Sequence, residues 1–372
     1  MEDYIEAICY EIESLSRSSS ERITAKSLYI GGGTPSLINV KSMERLFQIL
    51  RKWIDFTSDI EITIEANPGT VSLSGLQNLH VLGINRLSLG MQSANKEELS
   101  LLGRQHSYND VIQAMDWAIE AGFDNINLDL IYGIPRQSLN SWKQSLEHAI
   151  ELNPEHLSTY ALTLENDVPM EQWIKSRQIP AQDDDLMADM YEHAIARLDE
   201  VEYCQYEISN WAKTDRGKDL LSCQHNLQYW HNLPYLGLGA GAHGFARGVR
   251  TENVKGIGAY IRRCFSAEAQ VFPLGPAVLN YSSIDPWIEM QETLMVGLRL
   301  TQEGISRSSF CKRFGVELFT VFGTEFDRLF SLGLLEYADD SKDRIILTRN
   351  ARSIGNQVFI EFVGKDPPRE NR

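Results

Sequence analysis

Ser27-Leu28-Tyr29-Ile30-Gly31-Gly32-Gly33-Thr34-Pro35-Ser36 is the stretch on which the fold class turns. Residues 27–30 read as a short buried strand, and the three glycines stop it in a turn. Residues 40–53 then place Met43, Leu46, Phe47, Leu50 and Trp53 on one face at helical spacing, as residues 3–16 do upstream with Ile5, Ile8, Cys9 and Ile12. The unit repeats along the chain. Residues 60–66 alternate apolar and polar and end at Asn67-Pro68-Gly69, a turn. Helices near 72–82, 95–102, 108–121 and 139–152 flank strands at 86–91, 126–132 and 156–162. Five strands in strict alternation with helices predict a parallel sheet with helical crossovers. These strands end on Gly31-Gly32-Gly33-Thr34, Glu65, Gln92, Asp129 and Thr163. In barrel-type α/β folds the functional rim lies at such C-terminal strand ends.

Beyond residue 162 the pattern changes. Residues 183–200 form an acidic amphipathic helix, and 203–245 are rich in aromatics, Cys, His and Gly. Residues 246–283 read as an irregular connection. Helices are expected at 287–300, 306–314 and 320–332, and a hairpin from 334–337 and 344–348. The expected division is therefore 1–245, a connecting segment 246–283, and a small helical, winged-helix-like domain at 284–372.

The composition is that of an ordinary globular protein: 43% hydrophobic and 23% charged over 372 residues. A formal charge of −16 repels phosphate backbones, so nucleic acid is not an expected partner. No apolar run approaches the ~20 residues that span a bilayer. The acidic start MEDYIEAICYEIESL is neither a signal nor a transit peptide, so a cytoplasmic location is expected. Cys9, Cys204, Cys223, Cys264 and Cys311 form no CxxC or CxxxCxxC cluster and read as reduced thiols.

A glycine run alone is an ordinary strand-to-helix turn, although it lets a backbone approach a ligand closely. It is neither a Walker A loop nor GxGxxG. The order of motifs is more specific. Gly31 to Ser36 is followed by Glu65-Ala66-Asn67-Pro68, then Arg86-Leu87-Ser88-Leu89-Gly90-Met91-Gln92-Ser93. Leu102-Gly103-Arg104 with His106 comes next, then Asn127-Leu128-Asp129-Leu130-Ile131-Tyr132-Gly133-Ile134-Pro135. This series resembles the oxygen-independent coproporphyrinogen III oxidase group of the radical-SAM superfamily, over roughly residues 1–245 and with a similar C-terminal region. The resemblance implies S-adenosylmethionine across the strand ends. Gly31, Gly32 and Thr34 would meet its amino group and Glu65 its ribose hydroxyls. Gln92, Arg104 and Asp129 would complete the polar shell, Arg104 facing the carboxylate as its fork allows.

A second signature separates the branches. Cys223-Gln224-His225-Asn226-Leu227-Gln228-Tyr229-Trp230 contains HNxxYW, with Tyr235 and Gly237-Leu238-Gly239-Ala240-Gly241-Ala242-His243-Gly244 after it and Tyr206-Glu207-Ile208-Ser209-Asn210-Trp211-Ala212 before it. This is similar to the HemW heme-chaperone family. The resemblance implies heme as ligand, with His225, Asn226, Tyr229 and Trp230 at the site and His225 as the iron ligand. A neutral imidazole suits heme iron, and aromatic planes suit a flat macrocycle. Cys223 is a minor candidate as a second soft ligand, and His243 and His106 read as structural candidates.

The departure from the family lies at the start. Relatives carry a strand and a CxxxCxxC loop whose three thiolates bind a [4Fe–4S] cluster. Here Met1 falls at the start of the following helix, so the expected fold is an incomplete (β/α)6-type partial barrel without its first strand. A truncated gene model, a fragment or a late start codon is the expected reason, with a cluster-free paralogue as the alternative. Without those thiolates, radical-SAM catalysis is not expected of this chain. The expected function is a heme chaperone that hands heme to an apo-protein. Oxygen-independent coproporphyrinogen III oxidation, a step of porphyrin biosynthesis, is the alternative.

Overall fold

The computed structural model describes residues 1–164, 168–215, 219–266 and 270–367. Its first half alternates helix and strand as the periodicity predicts. In chain order these are α1 (Glu2–Ser18), β1 (Ile23–Ile30), α2 (Val40–Trp53), β2 (Ile54–Ala66), α3 (Leu73–Val81), β3 (Arg86–Gln92), α4 (Lys96–Leu101), α5 (Tyr108–Glu120), β4 (Ile126–Tyr132), α6 (Leu139–Glu151) and β5 (His156–Ala161). Local chemistry fixes the starts: Asn39, Ser72, Asn95, Ser107 and Ser138 each accept a backbone N–H from the first turn of the helix they precede.

Strands β1 to β5 pair in sequence order, all parallel. After α7 (Pro169–Lys175) and α8 (Asp184–Glu200), a hairpin of β6 (Cys204–Glu207) and β7 (Asn210–Ala212) joins the sheet. β7 runs antiparallel to β5, giving the order β1-β2-β3-β4-β5-β7-β6. The sheet is thus a seven-stranded half-barrel, two strands more than the five-strand expectation, with β1 at one edge. The extra strands are three and four residues long, too short for a period-2 pattern to mark them.

Along each parallel strand, apolar residues alternate with polar ones. Ile62, Ile64, Leu87, Leu89, Leu128, Leu130 and Leu157 form one core with the apolar faces of α1, α2, α5, α6 and α8. The other face of the sheet is polar and carries the site.

A short ladder of β8 (Thr214–Asp215) and β9 (Asp219–Leu220) precedes α9 (Gln224–Trp230), the helix that contains HNxxYW. Residues 246–283, expected as irregular, are largely regular. β10 (His243–Ala246), β11 (Val249–Asn253) and β12 (Val278–Ser283) make an antiparallel sheet, and α10 (Ile257–Ser266) packs Tyr260 and Cys264 against Ala7 of α1. β12 exposes nearly every side chain, so its sequence lacks the alternation that reveals a strand.

The C-terminal region has its own core. α11 (Pro286–Gly297), β13 (Ile305–Ser306), α12 (Arg307–Phe314), α13 (Leu318–Ser331), β14 (Leu335–Tyr337), β15 (Arg344–Leu347) and α14 (Gly355–Phe359) bury Leu294, Phe310, Phe322, Phe326, Ile345 and Phe362 together. The expected hairpin is β14–β15, and β13 adds a third strand.

Candidate functional site

Residues paired in register across parallel strands point to the same face. Glu65 pairs with Ser88, Ser88 with Asn127, and Asn127 with His156. Ser27 pairs with Glu61, Tyr29 with Thr63, Thr63 with Arg86, and Asp129 with Ser158. Every one of these is polar, so the concave face is a hydrogen-bonding lumen.

At its upper rim, Gly32 and Gly33 take φ of 89° and 72°, and a side chain at either would meet no atom within 4 Å. The turn at Gly32 and Gly33 therefore faces open space, where a ligand can approach the backbone closely. Glu65 Oε2 accepts the Gly32 N–H at 3.0 Å. Asp129 accepts from Ser88 Oγ at 2.9 Å and Asn127 Nδ2 at 2.9 Å. Burial raises the Asp129 pKa against those two hydrogen bonds. Gln92 sits at φ 65°, a left-handed conformation where the β3–β4 register breaks, which marks the rim as a strained site. Thr34 opens the 35–37 turn and is half-buried, and Arg104 is exposed with no ion pair among the described residues.

Lower in the lumen lies α9. Its N-terminus is held by Glu61, which accepts the N–H of Gln224 and of His225, each at 3.0 Å. A carboxylate at a helix N-terminus is favourable in itself. Glu61 is buried, 3.9 Å from Nε of the equally buried Arg86. At the other end Arg313 donates to the carbonyls of His231 (3.1 Å) and Asn232 (2.7 Å). The helix is thus gripped by the half-barrel at one end and by the C-terminal domain at the other.

His225 contacts Ser27 Oγ through Nδ1 at 3.1 Å and the Tyr229 hydroxyl through Nε2 at 3.0 Å. Burial, with the Arg86 cation adding to it, pushes its pKa down to about 4. The imidazole is neutral at pH 7, the form that ligates iron. Tyr29 stacks on the ring, centroids 5.0 Å apart, and Tyr229 meets it edge-on at 5.0 Å.

The sequence-derived set therefore divides. Glu65, Asp129, Gln92 and the glycine turn share the lumen with His225 and Tyr229. Trp230 does not join them: it lies at the C-terminal domain, with the Arg299 guanidinium 4.6 Å over its ring. A helix advances about 100° per residue, so Trp230 is turned away from Tyr229. Asn226 is half-buried and follows His225 on the helix. Cys223 is buried, donates to Glu61 Oε1 at 3.4 Å, and has its thiol pushed up to about 12 by burial. His106 is buried with Nε2 on the Met91 carbonyl at 3.1 Å, and His243 is exposed at the start of β10. Tyr29, Glu61 and Arg86 escaped the sequence reading. Residue type alone did not mark them: Tyr29 and Arg86 each pair with Thr63, and Glu61 with Ser27, a register that tertiary packing sets.

The rim suits S-adenosylmethionine: a glycine turn open to close backbone approach, and a carboxylate that can accept from a diol. The lower site suits heme in donor chemistry, with a neutral imidazole flanked by tyrosines. A [4Fe–4S] cluster does not fit. Among the described residues no group of three His, Cys, Asp or Glu side chains stands ready for a metal, and the five free cysteines lie on separate elements.

The profile described as the Radical SAM superfamily matches residues 10–149, and that of the HemN C-terminal domain matches residues 284–354. The solved coproporphyrinogen III oxidase HemN of Escherichia coli, described as a radical SAM enzyme, superposes with a TM-score of 0.80. It covers 96% of this chain and 82% of its own at 24% identity, a likeness of fold. Fold and matched regions together define a half-barrel of the radical-SAM class with a HemN-type C-terminal domain. Relatives narrow this further. The heme chaperone HemW of Bacillus subtilis is 31% identical over 98% of this chain and 92% of its own length, and that of Lactococcus lactis is 31% identical over 98% and 90%. The chain belongs to the heme chaperone HemW family.

Proposed function

We propose that this chain is a heme-binding chaperone that passes heme to an apo-protein recipient, with S-adenosylmethionine as an accessory ligand at the rim. The observation that carries the reading is His225, neutral and presented from α9 between Tyr29 and Tyr229. His225 would ligate the iron, which requires one of its two hydroxyl partners to give way. Tyr229 and Asn226 would line the same site. Gly31, Gly32, Thr34, Glu65, Gln92, Arg104 and Asp129 would hold S-adenosylmethionine. Radical cleavage of that ligand needs cluster thiolates that residues 1–372 do not supply, so no catalytic step is assigned. Among the described residues no helix is long and apolar enough to cross a membrane, in keeping with a proposed cytoplasmic site of action.

The test is a spectroscopic hemin titration of the chain beside His225→Ala. A saturable heme spectrum in the first and its loss in the folded variant is expected. A folded chain without specific binding overturns the proposal.

A further inference from the structure

Tyr29 touches both halves of the lumen. Its hydroxyl donates to Glu65 Oε1 at 3.0 Å, on the carboxylate whose other oxygen holds Gly32 N–H. Its ring stacks on His225, 23° from parallel. Burial, and then the Glu65 and Asp129 carboxylates, push the phenol pKa upward, so at neutral pH Tyr29 is a donor. Gly31 leaves room for this pair: a Cβ there would stand 2.7 Å from Tyr29 Cε1 and 2.8 Å from Glu65 Oε1. Space between Tyr29 and Glu65 therefore requires the first glycine of the turn.

His225 is partly buried, with both ring nitrogens and one face engaged. Ser27 and Tyr229 occupy its nitrogens, and Tyr29 covers one face. Among the described residues the Tyr29 hydroxyl bonds to Glu65, the group to which a ribose would bind.

We propose that Tyr29 is a positioning residue that couples occupancy of Glu65, by a ligand presenting a vicinal diol, to the release of His225 beneath it. This rests on the reading of the two sites given above. A diol that binds both carboxylate oxygens competes with the Tyr29 hydroxyl and the Gly32 N–H for Glu65, and weakens the hold on Tyr29. A half-buried phenol with a weakened partner is less firmly held, so the ring moves off the imidazole. His225 then exchanges a hydroxyl partner for iron more readily. Linkage is reciprocal: the diol ligand and heme raise each other's affinity by one factor.

The experiment uses residues 1–372 and two readouts. First, without heme, the ring nitrogens of ¹⁵N-labelled histidines are followed by NMR as S-adenosylmethionine is added, with His225 assigned through His225→Ala. The His225 signals are expected to shift in the wild type. In Tyr29→Phe and Gly31→Ala they should start displaced and move little. Second, hemin is titrated with and without S-adenosylmethionine. The Kd is expected to fall roughly tenfold in the wild type and less than twofold in Tyr29→Phe, which binds tightly throughout. Unmoved His225 signals with ligand bound by equilibrium dialysis overturn the proposal, as do failure of that ligand to bind and full coupling retained in Tyr29→Phe. Absent hemin binding with responsive His225 signals overturns the chaperone reading and leaves the coupling of Tyr29 standing.

Discussion

The Tyr206 hydroxyl donates to Nε2 of His156 at 2.9 Å, in a site where His156 has no exposed surface. The direction follows from the neighbours. Asp129 accepts from Asn127 Nδ2, so Asn127 turns its oxygen toward His156 Nδ1, 2.7 Å away. Nδ1 therefore carries the proton, and Nε2 accepts from Tyr206. The Tyr206 oxygen in turn accepts the Cys223 N–H at 3.3 Å. One chain thus runs from rim carboxylate Asp129 to the start of α9.

Tyr206→Phe breaks that chain and orphans two buried groups, His156 Nε2 and the Cys223 amide. Each orphan costs about 1–3 kcal/mol, so a loss of about 2–6 kcal/mol is expected in urea unfolding. Amide exchange at Cys223 should also speed up. Unchanged stability and exchange would show that the chain holds nothing in place.

Glu11 sits on α1, 1% exposed, and accepts from the Gly239 amide, Asn253 Nδ2 and the Tyr260 hydroxyl. It ties α1 to the glycine-rich 237–244 segment without a cation. Burial raises its pKa against those three hydrogen bonds. A carboxyl whose folded pKa is raised contributes stability that is full below its unfolded pKa, near 4.5. That stability is lost as pH climbs through the folded value. Glu11→Gln abolishes this titration. Relative to the wild type, its urea midpoint should improve as pH rises from about 4 to 8. A gap between the two that is constant with pH sinks the assignment.

Both cases bear on what the sequence could reveal. Helical periodicity exposed α2, α5 and α6, and alternation exposed β2, because each buries one continuous apolar face. The rim was readable from glycines and carboxylates at strand ends. Glu11 was not, since a lone acidic residue in an acidic helix looks solvated, and its partners lie more than two hundred residues away. Nor were Tyr29 and Glu61: their roles come from strand register and from α9 entering the lumen, both set by tertiary packing. The HNxxYW run lies on α9, but spacing in a short motif could not tell that Trp230 turns toward Arg299.

Trp230 gives a direct check on that division. Its ring lies 4.6 Å from Arg299, which also sits 5.5 Å over Phe359 of the C-terminal domain. Trp230→Ala removes a cation–π contact and leaves a gap at the seam, with an expected loss of about 2–4 kcal/mol. Limited proteolysis should then cut between the half-barrel and the C-terminal domain sooner. Tyr229→Phe should instead perturb the hemin spectrum, because it removes the hydroxyl on His225 Nε2. A Trp230 variant of native stability with a lost heme spectrum would return Trp230 to the heme site.

Iron–sulfur loading tests the same residues from the other side. A [4Fe–4S] cluster needs thiolates that converge, whereas Cys9, Cys223 and Cys264 are buried on different elements and Cys311 is exposed on α12. Burial pushes the thiols of Cys9, Cys223 and Cys264 up to about 11, 12 and 12, which disfavours the ligating form. Anaerobic reconstitution of residues 1–372 with iron and sulfide should therefore yield no stoichiometric cluster absorbance. Hemin binding by the same sample should be unaffected, because His225 shares no ligand with such a cluster. Uptake of four irons per chain would require rearrangement of these elements and would overturn the placement of the cysteines.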